Sequence, residues 1–279
     1  MAIKDILVHL NGADSGKNVV DAAVALASKH GARLIGVYAG VPYDMPTYVV
    51  AQLPAEVISA HQAHVEESAK KTAEMFEKAC TANGVSHDYR EGDWREPVDN
   101  VVNMHARYAD FVMIAQPGPN SAVAHAREVV DRIVVGAGAG VMVVPPKSAK
   151  DSIGDRVLVG WDGGMHAARA IRDALPLLEA ASAVKVLCVD PKPGRGGLGD
   201  LPGADLSAYL ASHGVKAEAD HRSSVGGDVG STILNESADF GADLIVTGGY
   251  GHSRLGELLL GGVTDTLIEQ AAVPVLMSH

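Results

Sequence analysis

The sequence predicts an α/β protein made of two tandem Rossmann-like units, each a five-stranded parallel sheet flanked by helices. Three observations predict it. The chain repeats itself: Asp5-Ile6-Leu7-Val8-His9-Leu10-Asn11-Gly12 parallels Arg156-Val157-Leu158-Val159-Gly160-Trp161-Asp162-Gly163. The unit ends repeat as well, with Ala109-Asp110-Phe111-Val112-Met113-Ile114 matching Ala242-Asp243-Leu244-Ile245-Val246-Thr247, and Gly140 to Val144 matching Val273 to Met277. Short β-branched apolar runs alternate with helix-period segments, which is the pattern of right-handed βαβ crossovers around a parallel sheet. Such a repeat is read first because missing it miscasts the whole fold.

The elements follow in order. In the first unit, strands are expected near 4–9, 33–38, 86–90, 110–115 and 141–145. In the second they are expected near 155–161, 184–189, 215–221, 243–248 and 274–277. Their near-continuous apolar character fits strands covered on both faces. Helices such as Ser15 to His30 and His166 to Ala180 fall between them. The first domain spans 1–146 and the second 154–279. The proline-led polar stretch 147–153 links them. Each unit ends in an apolar strand, Val141 to Val144 and Val273 to Met277. Left uncovered, such edges invite association. Further homodimerisation stays open.

Composition narrows the function. The 279 residues carry a formal net charge of -11, which disfavours nucleic acid or an anionic membrane as partner through a broad basic face. No apolar run is long enough to span a bilayer, and no signal peptide is evident at the N-terminus. Cys80 and Cys188 lie far apart without metal-ligand spacing, which favours a reducing, cytoplasmic setting.

The chemistry concentrates in Thr247-Gly248-Gly249-Tyr250-Gly251-His252-Ser253-Arg254 and, further on, Gly261-Gly262-Val263-Thr264. This reads G-x-x-G, nine residues, then G-G-V-T. It follows a strand and leads into an amphipathic helix starting near Gly262. Glycines at a strand end let backbone turn tightly and approach a ligand. A helix start offers unpaired N–H groups and partial positive charge to an anion. The spacing is neither G-x-G-x-x-G nor the P-loop pattern. In doubly wound sheets, ligands bind beyond the carboxyl ends of strands where strand order reverses. The Asp162 and Gly248 loops both leave such ends.

These residues resemble the universal stress protein family in its tandem two-domain form, over nearly the whole chain. The resemblance implies an adenine nucleotide α-hydrolase-like fold in which the terminal strands Val141 to Val144 and Val273 to Met277 pair within the chain, covering their edges, as an internal pseudo-dimer. The family's nucleotide-binding members carry G-x-x-G, nine residues, then G-[S/T]. Gly248, Gly251 and Gly261 match, Gly262 replaces the Ser or Thr, and Val263 and Thr264 match the continuation. The resemblance implies ATP, with Mg2+, or a related adenine nucleotide as the bound cofactor. Asp162, with its neighbours Trp161 and Gly163, and the Val189 backbone would face adenine and ribose. Gly251 and the Gly261 to Thr264 segment would face ribose and phosphates. His252, Ser253 and Thr264 are candidate donors in place of the hydroxyl lost at Gly262.

The first unit departs from the pattern. It has Ala115 for Gly248, Gly118 for Gly251, and Glu128 and Val129 for Gly261 and Gly262; Asn11 stands for Asp162. A glutamate repels an anion at a helix start, and Pro117 and Pro119 remove N–H donors. This half is not expected to bind ATP in the family's manner.

Other candidates weigh less. Asp162 also suits a helix N-cap. His252 and Arg254 also suit an exposed loop. His61 and His64 share a helical face but lack further ligands at metal spacing, so no metal site is read. Val41 to Leu53 reads as a lid, a partner surface or a packing flap, and Gly194 to Gly199 as a mobile connection. No spacing identifies an acid–base pair, so no catalytic residue is read. The expected function is a stress-response binding protein that carries nucleotide in its second domain and acts on an unidentified protein partner. The alternatives are a stress interaction protein that binds no nucleotide, and a slow ATPase.

Overall fold

A computed structural model describes residues 2–13, 16–40, 53–118, 126–147, 153–191, 201–224, 226–250 and 262–279. The chain runs β1 (Asp5–Leu10), α1 (Lys17–His30), β2 (Arg33–Tyr38), α2 (Ala55–Ala82), β3 (His87–Glu91), α3 (Val98–Ala106), β4 (Phe111–Ala115), α4 (Ala126–Gly136) and β5 (Gly140–Val144). It continues β6 (Arg156–Gly160), α5 (Met165–Ala180), β7 (Ala183–Val189), α6 (Ala204–Ser212), β8 (Ala217–Arg222), α7 (Val229–Phe240), β9 (Leu244–Gly248), α8 (Gly262–Gln270) and β10 (Val275–Ser278). The two halves share one alternating plan, as the repeats require.

The strands form a single mixed sheet in the order β3-β2-β1-β4-β5-β10-β9-β6-β7-β8. Within each half the five strands are parallel. The halves meet where β10 runs antiparallel to β5, pairing Val275 with Val143, Leu276 with Met142 and Met277 with Val141. The two expected sheets are thus one, because the apolar terminal strands satisfy each other's backbone groups. The outer edges are β3 and β8, whose charged residues Asp88, Arg90, Glu218 and Asp220 discourage further pairing.

Each half reverses strand order once, between β1 and β4 and between β6 and β9. A repeated aspartate sets both junctions. Asp110 accepts from the backbone N–H groups of Lys4 (2.6 Å) and Asp5 (2.9 Å). Asp243 accepts from Gly154, Asp155 and Arg156, each at 3.0 Å. Each carboxylate takes up N–H groups at the start of the first strand of its half and brings that strand beside the fourth.

Helices cover both faces. One core packs α1, α2, α5 and α6 on the sheet, and the other packs α3, α4, α7 and α8. Both cores draw residues from both halves. Helix α1 ends at Gly31, whose φ of 63° supplies a left-handed cap. Helix α7 starts at Asp228, which accepts from the Ser231 N–H. Cys80 and Cys188 are buried free thiols that burial pushes up to about 11, so both are protonated and unreactive at neutral pH. Among the described residues, no helix is long and apolar enough to cross a membrane.

Candidate functional site

The site builds from the two turns that leave β6 and β9. These strands are hydrogen-bonded neighbours, Val157 to Val159 beside Leu244 to Val246, at the strand-order reversal of the second half. Beyond β6, the Trp161 N–H donates to the Leu187 carbonyl (2.9 Å), extending the pairing toward β7 and Val189. The chain then turns through Gly163, at φ 76°, a left-handed conformation that suits glycine. Asp162 accepts from the Gly164 N–H at 2.7 Å. Gly164 is the N-cap of α5, so Asp162 orients the helix entry from two residues upstream and is not itself the cap. Asp162 is exposed at the carboxyl edge, next to the exposed Met165.

Gly248 ends β9 against this turn. A Cβ there would lie 2.6 Å from the Ala167 nitrogen and 2.9 Å from the His166 carbonyl carbon. The glycine is thus required for packing of the strand end on the first turn of α5. Gly249 follows, its N–H donating to Ser278 (2.9 Å). Tyr250 then takes a φ of 56°, rare for a residue with a side chain.

Helix α8 opens with Gly262, Val263 and Thr264. Gly262 is exposed, with nothing within 4 Å of a Cβ placed on it. Thr264 is buried, and its hydroxyl oxygen accepts from the Tyr250 N–H at 3.2 Å. The oxygen ties the loop's entry to the helix and satisfies the Tyr250 N–H, while the hydroxyl keeps its own proton to donate. Trp161, Val189 and Val263 are half-buried, and their side chains pack on the two cores. The structure gathers Trp161, Asp162, Gly163, Val189, Gly248, Gly262, Val263 and Thr264 at one edge of the second half. Gly251, His252, Ser253, Arg254 and Gly261 lie outside the described residues, as do Val41 to Gln52 and Gly194 to Gly199.

Sequence reasoning missed four neighbours. His166 and His279 stack with ring centroids 4.2 Å apart beside the Gly248 turn. Burial, then the adjacent His279, hold His166 below the usual histidine range, while Asp162 pulls it upward. Tyr250 donates its hydroxyl to Asp131 of α4, and burial with that carboxylate raises its pKa well above the phenol range. Arg127 of α4 pairs with Asp265 in the first turn of α8. No short-range signal marks these four, because their partners are distant in sequence.

The first half carries different groups at the corresponding positions. Glu128 sits in the first turn of α4 and pairs with Arg132 at 3.6 Å. His9, which aligns with Gly160, alternates with Val8 and Leu10 and so shares its sheet face with Leu7. Its Nε2 is buried without a hydrogen-bond partner, and burial lowers its pKa to about 4. His61 packs edge-on against Trp94, at 5.2 Å between centroids, instead of standing in solvent.

The fold is that of a doubly wound α/β protein, with the Asp162 and Gly248 turns leaving neighbouring strands at its second strand-order reversal. Residues 154–279 match the model of the universal stress protein family. That match covers the second unit alone. Over the whole chain the structure is similar to a universal stress protein from Archaeoglobus fulgidus DSM 4304, with a TM-score of 0.73 and 15% identity across 98% of this chain and 97% of that one. It is also similar to a putative universal stress protein from Pseudomonas aeruginosa UCBPP-PA14, with a TM-score of 0.58 and 14% identity across 99% and 93%. At these identities the likeness is one of fold. No curated protein matches the sequence.

Proposed function

We propose that the second half binds an adenine nucleotide, ATP with Mg2+ foremost, and that the protein is a cytoplasmic stress-response binding protein and not a catalyst. One observation carries the reading: the strand-order reversal between β6 and β9 places the glycine turn after β9 beside the N-termini of α5 and α8. Helix N-termini at such a crevice attract phosphate through unpaired N–H groups and partial positive charge. The residues fit the group. The open, exposed Gly262 leaves room at the start of α8, and Asp162 stands at the neighbouring turn where a ribose or adenine edge would lie. Phosphate would be held mainly by backbone N–H groups, since Gly262 brings no side chain.

Titration of nucleotide-stripped protein with Mg-ATP tests this. One site per chain is expected. Gly262→Ser restores a hydroxyl in open space and is expected to tighten binding about 2- to 10-fold, the worth of one hydrogen bond. Gly262→Asp places a like charge there and is expected to weaken it. Absence of both heat and thermal shift would sink the nucleotide reading and leave an interaction protein that works without nucleotide.

A further inference from the structure

A second cleft lies at the opposite edge of the second half. It encloses about 700 Å3 over the amino ends of β6, β7 and β8, beside α6 and the end of α7. Volumes of this size suit small organic ligands. Strand β6 runs five residues, Arg156–Gly160, which puts the cleft about 15 Å from the turns at the carboxyl edge. The two sides of the cleft differ in chemistry. Val157 and Ala217 pack on the core beneath α5 and α6. Residues alternate across a strand, so the adjoining Arg156, Lys216 and Glu218 fall on the side of α7. Arg156 donates to the Phe240 carbonyl through Nε at 3.1 Å and Nη2 at 2.7 Å, and its Cζ lies 4.4 Å from the Phe240 ring centroid. These contacts fix the guanidinium and leave its Nη1 without a partner among the described residues. Lys216 is exposed and makes no ion pair among the described residues. Two cations thus stand against one carboxylate, Glu218, in a cleft of a chain whose net charge is -11. On the side of α6 the lining is apolar, with buried Val184 and Val215 and, on the helix, Ala211. Ser207 lies one helical turn before Ala211, and its Oγ is buried without a hydrogen-bond partner among the described residues. A helical serine can turn its hydroxyl to the carbonyl four residues back; this one does not, and it is a donor that an occupant of the cleft can use.

We propose that this cleft binds a small carboxylate with an apolar body, its anionic end at Arg156 and Lys216 and its body against Val184, Val215 and Ala211. The proposal is independent of the nucleotide reading, because the two sites share no residue and lie at opposite edges of the sheet. Three physical points support it. A guanidinium held in place by its own carbonyl contact and ring stacking presents its remaining N–H donors without a further loss of side-chain entropy, and such donors match a carboxylate. The apolar side gives that anion's body a surface to cover, which a bare inorganic anion would leave unused. The cations reject an uncharged body of the same size only by leaving their own charges unpaired, so discrimination rests on the head group.

Amide NMR of the full-length, nitrogen-15-labelled chain tests the cleft, with hexanoate, octanoate and uncharged hexan-1-ol as probes. Saturable shifts are expected for both carboxylates at Arg156, Ala183, Val184 and Val215 to Glu218, with the Asp162 and Gly163 amides unchanged. Affinity is expected to rise by up to about fourfold for each methylene added from hexanoate to octanoate, and to fall with added salt. Hexan-1-ol is expected to bind more weakly than hexanoate. Lys216→Met, at an exposed side chain, is expected to weaken octanoate about 2- to 5-fold, the worth of one exposed ion pair, and to leave hexan-1-ol unchanged. Ala211→Trp fills the cleft and is expected to abolish the shifts. Absence of saturable shifts at the lining amides overturns the proposal. Equal binding of hexanoate and hexan-1-ol overturns the carboxylate assignment, and octanoate shifts that survive Ala211→Trp overturn the location. Should Ala211→Trp fail to fold, Lys216→Met and the comparison of hexanoate with hexan-1-ol decide the question.

Discussion

At the scale of single residues, identical letters in one motif do different work. Gly248 meets backbone of α5 and Gly262 meets nothing. Gly248→Ala is therefore expected to cost about 1–3 kcal/mol through overpacking, whereas Gly262→Ala is expected to stay within about 0.5 kcal/mol. Urea unfolding of both variants separates them, and equal costs would contradict the packing account. His9 supplies a pH signature. Its folded pKa of about 4 lies below its unfolded value of about 6.5. Above pH 6.5 both states are neutral there, and the group costs nothing. As pH falls from about 6.5 toward 4 the unfolded chain binds a proton that the folded chain excludes. Stability is lost over that window, reaching about 3 kcal/mol by its lower end. His9→Leu is expected to flatten that part of the profile; an unchanged slope would assign it to other groups.

Helices and strands follow the sequence more closely than single roles do. The β-branched runs became strands within about two residues of expectation, and alternation with helices gave the parallel order. Helix α2 shows how an element earns its place. Phe76 is fully buried, and its ring presses on β2 where Gly36 leaves room, 2.9 Å from a Cβ placed there. Phe76→Ala is expected to cost about 3–5 kcal/mol in chemical denaturation; a loss below about 1 kcal/mol would mean that the cavity collapses freely. The site was legible in part. The turns at Gly163 and Gly248 and the helix start at Gly262 could be read, because turns and helix starts have local residue preferences. The α4 network could not be read. Arg127 and Asp131 look like an ordinary i,i+4 surface pair, and only tertiary contact sets them against Tyr250 and Asp265.

At the scale of the whole molecule, the halves are joined by backbone pairing and by shared packing. Both cores contain residues from either half, and β5 with β10 closes the sheet between them. Gln116 adds a side-chain crossing by donating to the Ile268 carbonyl at 2.8 Å. One cooperative thermal transition is therefore expected in calorimetry, with calorimetric and van't Hoff enthalpies equal. Two resolved transitions would show that the halves melt separately and that the seam couples them weakly.

The sequence by itself determined the two-unit α/β plan and the strand–helix order. These depend on periodicity and on local backbone chemistry, which neighbouring residues carry. The tertiary structure decided that β5 and β10 meet antiparallel, that Gly248 serves α5, that Thr264 serves Tyr250, and that α4 reaches across to the opposite half. These depend on which distant surfaces come within contact range, and packing settles that only when the whole sheet is assembled.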